Sequence, residues 1–329
     1  MNRRTSSYHT CIILGIAVLC LSCQNTSTVT SLKLAHGLSN DHPVHMAMEF
    51  MADRVAEKSQ GQMRIEVYPS SQLGTERQCL ELLQIGSLAL TKVSAAVLEN
   101  FAPAIQVLSL PYIFRDKEHM YRVEDSEIGK EMLLQGQDFW LRGLTYFDAG
   151  SRSFYTKTKQ IRTPADLAGM KIRVQESATA MALVRSLGAS PTPISWGELY
   201  TALQQGVVDG AENNPPSYYT SRHYEVCKYY SLNEHTSVPD ILIISTVAWN
   251  RLTEQEQRWL QEAADEATIF QRKLWAEAET EALQKVQEAG VEVIHPDKKA
   301  FREMTESIYD SYSDNPSLSK MIERIQAIE

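Results

Sequence analysis

Two apolar periods share this chain. Residues 32–35 and 63–68 read as short strands. Between them Met48, Met51, Ala52, Val55 and Ala56 recur at helical spacing and predict an amphipathic helix over 45–59, closed by Gly61. A turn over 69–74 leads into a second helix over 76–85, a stop at Gly86 and a strand over 88–93. Strands alternating with helices argue for α/β architecture. The same order returns further on. A strand over 171–174 is followed by a helix, a Pro-rich turn carrying Trp196, a second helix, and a strand ending at Asn213-Asn214. Met63-Arg64-Ile65-Glu66-Val67 is similar to Met170-Lys171-Ile172-Arg173-Val174, and 82–88 is similar to 202–208. Two similar α/β lobes follow from this, with Glu66 and Arg173 in comparable places.

One long helix is predicted over 253–290. Thr253-Glu254-Gln255-Glu256 forms a capping box, Gly290 is the stop, and no Gly or Pro interrupts the interval. Trp259, Leu260, Ala263, Ala267, Phe270 and Leu274 fall on helical spacing. About 36 residues at about 1.5 Å each make a rod of about 54 Å, longer than one lobe. It is expected to run behind both; a coiled-coil partner helix is the alternative.

The first residues change the picture of where the chain works. Arg3 and Arg4 precede an apolar run over 11–21, too short to span a bilayer, as in a secretion signal over 1–22. Ser22-Cys23 then resembles a bacterial lipobox, with Cys23 the lipidated residue, although Cys20 stands where Leu is usual. Removal of the leader would shift the net charge from −9 to −11. So acidic a surface argues against nucleic acid or anionic lipid as partner, leaving the lipid anchor as the membrane contact. It also means that an anionic ligand must be held by local cations. Cys79 and Cys227 are expected to be free and buried. No Cys/His grouping has metal-site spacing, and no metal or cofactor is expected. About 300 residues after the leader favour two domains.

The chemistry-bearing stretch is 169–214. It sets a guanidinium, Arg173, in a short apolar strand, with an aromatic plane at Trp196 and an amide at Asn213. Those groups suit a small carboxylated molecule: a planar guanidinium donates two parallel hydrogen bonds to a carboxylate, which lysine does not copy. No Gly-x-Ser-x-Gly, His-Glu-x-x-His or Walker glycine loop is present, so nothing speaks for a nucleophile, a catalytic metal or ATP. Asp209 and Glu212 read as turn residues.

Longer runs resemble the substrate-binding subunit of TRAP transporters, the DctP-like periplasmic receptors for organic acids. They are Tyr68-Pro69-Ser70-Ser71-Gln72-Leu73-Gly74, Leu110-Pro111-Tyr112, the run 163–174, Gly188-Ala189-Ser190-Pro191-Thr192-Pro193 and the run 202–214. The resemblance implies an α/β, two-lobed periplasmic-binding-protein fold with mixed sheets, crossover strands and a long back helix spanning both lobes. Lobe I would be 24–149 with 239–278, and lobe II 150–238 with 279–329.

It further implies that Arg173 pairs with the ligand carboxylate, that Arg152 is a second arginine near it, and that Asn213 completes the clamp. Trp196 falls where an aromatic ring lies against the ligand. Glu76 is expected to accept hydroxyl hydrogen bonds, with His36 and His42 reaching the cleft and Asn214 beside Asn213. Each has a plainer reading: Arg173 at a solvated strand end, Arg152 on the surface, Asn213 and Asn214 turning the chain before Pro215-Pro216, Trp196 in a core, Glu76 at a helix N-terminus. His235 and Asp240 are expected at the return crossover.

Ser94 and Val97 stand where sialic-acid receptors of this family carry a glutamate and an arginine, which argues against sialic acid. Asn213-Asn214-Pro215-Pro216-Ser217-Tyr218, His223-Tyr224-Glu225-Val226 and Tyr229-Tyr230-Ser231-Leu232 resemble the hexuronate branch. The expectation is a monomeric, lipid-anchored periplasmic receptor, not an enzyme, that delivers glucuronate or galacturonate to a TRAP permease. The alternatives are another organic acid (a C4-dicarboxylate, an aldonate, a 2-oxoacid), presentation to a sensor kinase, or a periplasmic sugar-acid enzyme.

Overall fold

The computed structural model describes residues 29–329, so the leader 1–22 and Cys23 lie outside it. The first lobe starts with β1 (Thr30–Ala35), α1 (Pro43–Lys58), β2 (Met63–Tyr68), α2 (Glu76–Gln84) and β3 (Leu90–Ser94). His42 and Thr75 cap the two helices, each side chain accepting a backbone N–H. The chain then reaches β4 (Leu141–Phe147), crosses over 148–151, and enters the second lobe as β5 (Arg152–Thr156). There follow β6 (Lys171–Val174), α3 (Ala178–Ser186), β7 (Ser190–Pro193), α4 (Leu199–Gln205), β8 (Gly210–Asn213), α5 (Pro215–Thr220) and β9 (Tyr229–Thr236). A second crossover, 237–239, returns the chain as β10 (Asp240–Ser245). α6 (Glu254–Glu288), β11 (Glu292–Ile294) and, last, α7 (Pro316–Gln326) complete it.

The first sheet runs β2-β1-β3-β10-β4 and the second β11-β9-β5-β8-β6-β7. Both are mixed: β1, β2 and β3 pair in parallel, as do β6, β7 and β8, while β10 and β5 join antiparallel. Read outward from the middle, the two orders match, and β6 takes the place of β1 rather than of β2. Ile172 and Arg173 sit opposite Gly210 and Ala211, as Leu34 and Ala35 sit opposite Leu90 and Thr91. The counterpart of Arg173 is therefore Ala35. The expected equivalence of Glu66 with Arg173 is incorrect, because β2 is an edge strand and β6 an inner one. A five-residue apolar pattern describes a strand but not its neighbours.

The expected long helix is present as α6, of 35 residues. Leu260, Ala263, Ala264, Ala267 and Trp275 pack into the first-lobe core with Val44, Met48 and Met51 of α1, and Val286 enters a second-lobe core with Tyr155, Leu199 and Tyr218. Its Gln271 clamps the first crossover: Nε2 donates to Asp148 O at 2.7 Å, and Oε1 accepts from Asp148 N at 2.9 Å. At Gly150 in the same crossover φ is +57°, and an added Cβ would lie 3.0 Å from Trp275 Nε1. The crossovers touch through Ser151 Oγ and Ser237 Oγ, 2.9 Å apart.

The last helix departs from the expected grouping of 279–329 with lobe II. Arg324 Nη2 lies 2.8 Å from Glu131 Oε2, and Arg115 Nη1 donates to Gln326 O at 2.9 Å, which ties α7 to the first lobe. Cys79 and Cys227 are free and buried. Among the described residues no helix is long and apolar enough to cross a membrane.

Candidate ligand-binding cleft

A cavity partly open to solvent lies between the sheets and takes its wall from both lobes. Most of the expected residues line it: Arg173, Arg152, Asn213, Asn214, Trp196 and Glu76. Local chemistry explains their placement. A 3-10 turn over Pro164–Leu167, tied by Asp166 to Thr163, and a left-handed Gly169 feed β6, which carries Arg173 at its C-terminal end. Arg152 opens β5 directly after the crossover. Asn213 ends β8, and Pro215-Pro216 start α5.

Arg173 is 2% exposed. Its Nε donates to Ile194 O at 2.8 Å, the guanidinium lies 5.9 Å from the centre of the Trp196 ring, and Nη1 is buried with no hydrogen-bond partner among the described residues. Burial pulls its pKa below the ordinary value, against the opposing pull of Tyr155 and Glu212. Arg152 is also buried but is fully engaged. Nε and Nη2 bond the Glu212 carboxylate, the latter at 2.8 Å, Nη2 also donates to Glu212 O, and Nη1 donates to Asn213 Oδ1 at 2.9 Å. Burial alone would raise the Glu212 carboxyl, but Arg152 and the hydrogen bond from His235 outweigh it and hold it down to about 2. Arg152 is thus neutralised locally, whereas Arg173 has no carboxylate partner among the described residues.

The wall facing Arg173 from the first lobe is charged as well. Lys92, 3% exposed on β3, places Nζ 3.1 Å from Glu76 Oε1 and 3.1 Å from Asp240 Oδ2. Burial works against its charge, but Asp240 and Glu76 raise its pKa on balance. Glu76 Oε1 also accepts from Ser94 N at 3.3 Å. Across the cavity Ser94 Oγ donates to Gln175 Oε1 at 3.4 Å.

Three expectations change. His36 and His42 are buried beneath the first loop and do not line the cavity. His36 Nδ1 accepts the Leu38 N–H at 3.1 Å, leaving Nε2–H to donate to His45 Nδ1 at 3.1 Å. His42 Nδ1 accepts the Val44 N–H, and its Nε2–H donates to Ser217 Oγ at 3.1 Å in the other lobe. These rings hold the loop and the lobe contact, since backbone N–H groups of a tight loop need acceptors. Asn214 lines the cavity, yet both ends of its amide are used: Oδ1 caps α5 by accepting from Ser217 N at 2.8 Å, and Nδ2 donates to Ala149 O at 2.7 Å.

Lys92 was missed, although it is a cation inside a short buried strand, as Arg173 is. Glu212, expected in the turn, lies within β8 instead and holds Arg152. Asp240 lines the cavity beside the second crossover, whereas His235 lies behind it, 3.5 Å from Glu212.

A two-lobed α/β shell thus surrounds a buried guanidinium that has no carboxylate partner among the described residues. Residues 34–315 match the family described as bacterial extracellular solute-binding protein, family 7 (DctP), and the chain belongs to that family. It is 40% identical to the uncharacterized protein YiiZ of Salmonella typhimurium over 90% of this chain and 91% of that one. Among solved structures it is similar to a TRAP periplasmic solute binding protein from Xanthobacter autotrophicus with bound β-D-galacturonate. The TM-score there is 0.88, with 39% identity, over 91% of this chain and 100% of that one. It is likewise similar to one from Pseudomonas putida with bound D-glucuronate, at TM-score 0.88 and 35% identity, covering 91% and 97%.

Proposed function

We propose that this chain is a periplasmic receptor that encloses a hexuronate, galacturonate or glucuronate, between its lobes and delivers it to a TRAP permease. The observation that carries this is Arg173: a buried guanidinium whose Nη1 has no acceptor among the described residues, beside Asn213 and Trp196 at the cavity wall. A ligand carboxylate would supply that acceptor, and the paired charges would strengthen where water is excluded. Arg152, already engaged by Glu212, fixes Asn213 beside it. Hydroxyls of the sugar would meet Glu76, and a pyranose face would lie on Trp196. The relatives with bound galacturonate and glucuronate support this choice. On this reading the protein is a monomer anchored through Cys23 and performs no reaction.

The test is thermal melting of residues 24–329 with glucuronate, galacturonate, aldonates, C4-dicarboxylates, 2-oxoacids and sialic acid. A ligand at about 100 times its Kd adds about 2.7 kcal/mol, enough to raise Tm by a few degrees. A shift with uronates is expected. A shift confined to dicarboxylates or 2-oxoacids would retain the receptor and overturn the ligand.

A further inference from the structure

We propose that Lys92, Glu76 and Asp240 form a net-negative wall that makes the cleft accept acids with a single carboxylate and exclude those with a second carboxylate at the far end. The proposal rests on the sugar-acid reading above and specifies what that site selects.

The cleft is electrically lopsided. Among the buried groups of the second lobe Arg152 is cancelled by Glu212, and Arg173 is left over as one positive charge, with the half-buried Glu176 also on the wall. On the first lobe one buried ammonium faces two carboxylates, each 3.1 Å from Lys92 Nζ, leaving one negative charge, while the exposed Arg77 at the same wall is paired with Glu81. All three groups line the cavity, and their side chains are only 4%, 16% and 10% exposed for Lys92, Glu76 and Asp240. Counter-ions and water therefore screen them little. An ammonium has three donors and a carboxylate only acceptors. With two Lys92 donors on Glu76 and Asp240, the third can meet a hydroxyl oxygen, and that hydroxyl's proton can go to either carboxylate. A hydroxyl thus satisfies both kinds of partner. A second carboxylate has no proton to give, and meets two fixed like charges in a poorly screened space. If it drew Lys92 toward itself, Glu76 and Asp240 would be left uncompensated in the wall.

The experiment is isothermal titration of residues 24–329 with D-galacturonate, galactonate and galactarate. The last two share a carbon chain and differ by a carboxylate in place of a terminal CH2OH. Galactarate is expected to bind at least about 100-fold more weakly than galacturonate, and more weakly than galactonate. Glu76→Gln keeps an acceptor for Lys92 but removes one charge, and is expected to narrow the galacturonate-to-galactarate ratio at least tenfold. Asp240→Asn serves as the second variant, with unliganded melting curves checking that each folds. Equal binding of galacturonate and galactarate by the unaltered protein would overturn the charged wall and leave the receptor reading standing. An unchanged ratio in both folded variants would also overturn it, assigning selection to shape. Binding of no sugar acid at all would overturn the underlying reading and this proposal with it.

Discussion

Arg173 is costly to the empty protein and useful to a loaded one. Its burial lowers the affinity of the guanidinium for its proton, and one of its nitrogens lacks a partner among the described residues. Arg173→Ala should therefore cost about 2–5 kcal/mol of ligand affinity, without lowering the melting temperature of the unliganded protein. Titration and melting of the same variant check both halves, and unchanged affinity would remove Arg173 from the site. Arg173→Lys should also bind poorly, since the two-pronged geometry is lost. A cation within an apolar strand was legible in the sequence, because few other reasons place one there. A similar signal stood at Lys92 and went unread, and Glu212 reads as a turn residue because β8 is short and polar at its end. The histidines His36 and His42 misled, since a ring in a loop beside a cleft faces either the ligand or the loop's own backbone, and only the fold decides.

At the scale of elements, α6 matters through one amide. Gln271 is fully buried and holds both backbone groups of Asp148, the first residue of the crossover. Gln271→Ala would leave an N–H and a carbonyl buried without partners, each worth about 1–3 kcal/mol. A fall in the denaturation midpoint with an unchanged slope is the expected reading. A midpoint within error of the parent would mean that water replaces the amide. Helix bounds were largely legible, because Thr253 to Glu256 and Gly290 mark the ends of α6 chemically. Strand neighbours were not. The likeness of 63–67 to 170–174 joined an edge strand to an inner one, as sheet order depends on contacts far along the chain.

The whole molecule stores neutral imidazoles in its interior, and this sets its response to acid. Burial, with Lys92 nearby, pushes His36 down to about 2 and His42 to about 3; burial, with Arg173 nearby, pushes His223 to about 3. All three folded values lie below the ordinary 6.5, so the unfolded chain takes up protons first. Their stabilising effect is complete above about pH 6.5 and is lost as pH falls below it, by up to about 1.4 kcal/mol per unit for each ring. Glu212, held near 2 from 4.5, adds a second loss below about pH 4.5. The buried Glu124 carboxyl, pushed up to about 8, works the other way and offsets about one ring between pH 7 and 5. Melting temperature should still fall from pH 7 to 5, and more steeply below. A flat profile between 7 and 5 would mean that these rings are solvated. The two-lobed plan was legible from the repeated order of elements, whereas α7 was not: its packing on the first lobe is written in Arg115, Arg324 and Glu131, far apart in sequence.

The matched strand orders place Ala35 in one lobe where Arg173 stands in the other. Under the proposed assignment that asymmetry gives loading a sequence. An arriving acid has one lobe on which to moor its charged end, and boards there first. The opposite lobe, whose lysine is already held between two carboxylates, acts afterwards as an inspector of the ligand's neutral end. Unloading would reverse the order: the inspecting lobe lifts away, and the cargo leaves last from the guanidinium that first caught it.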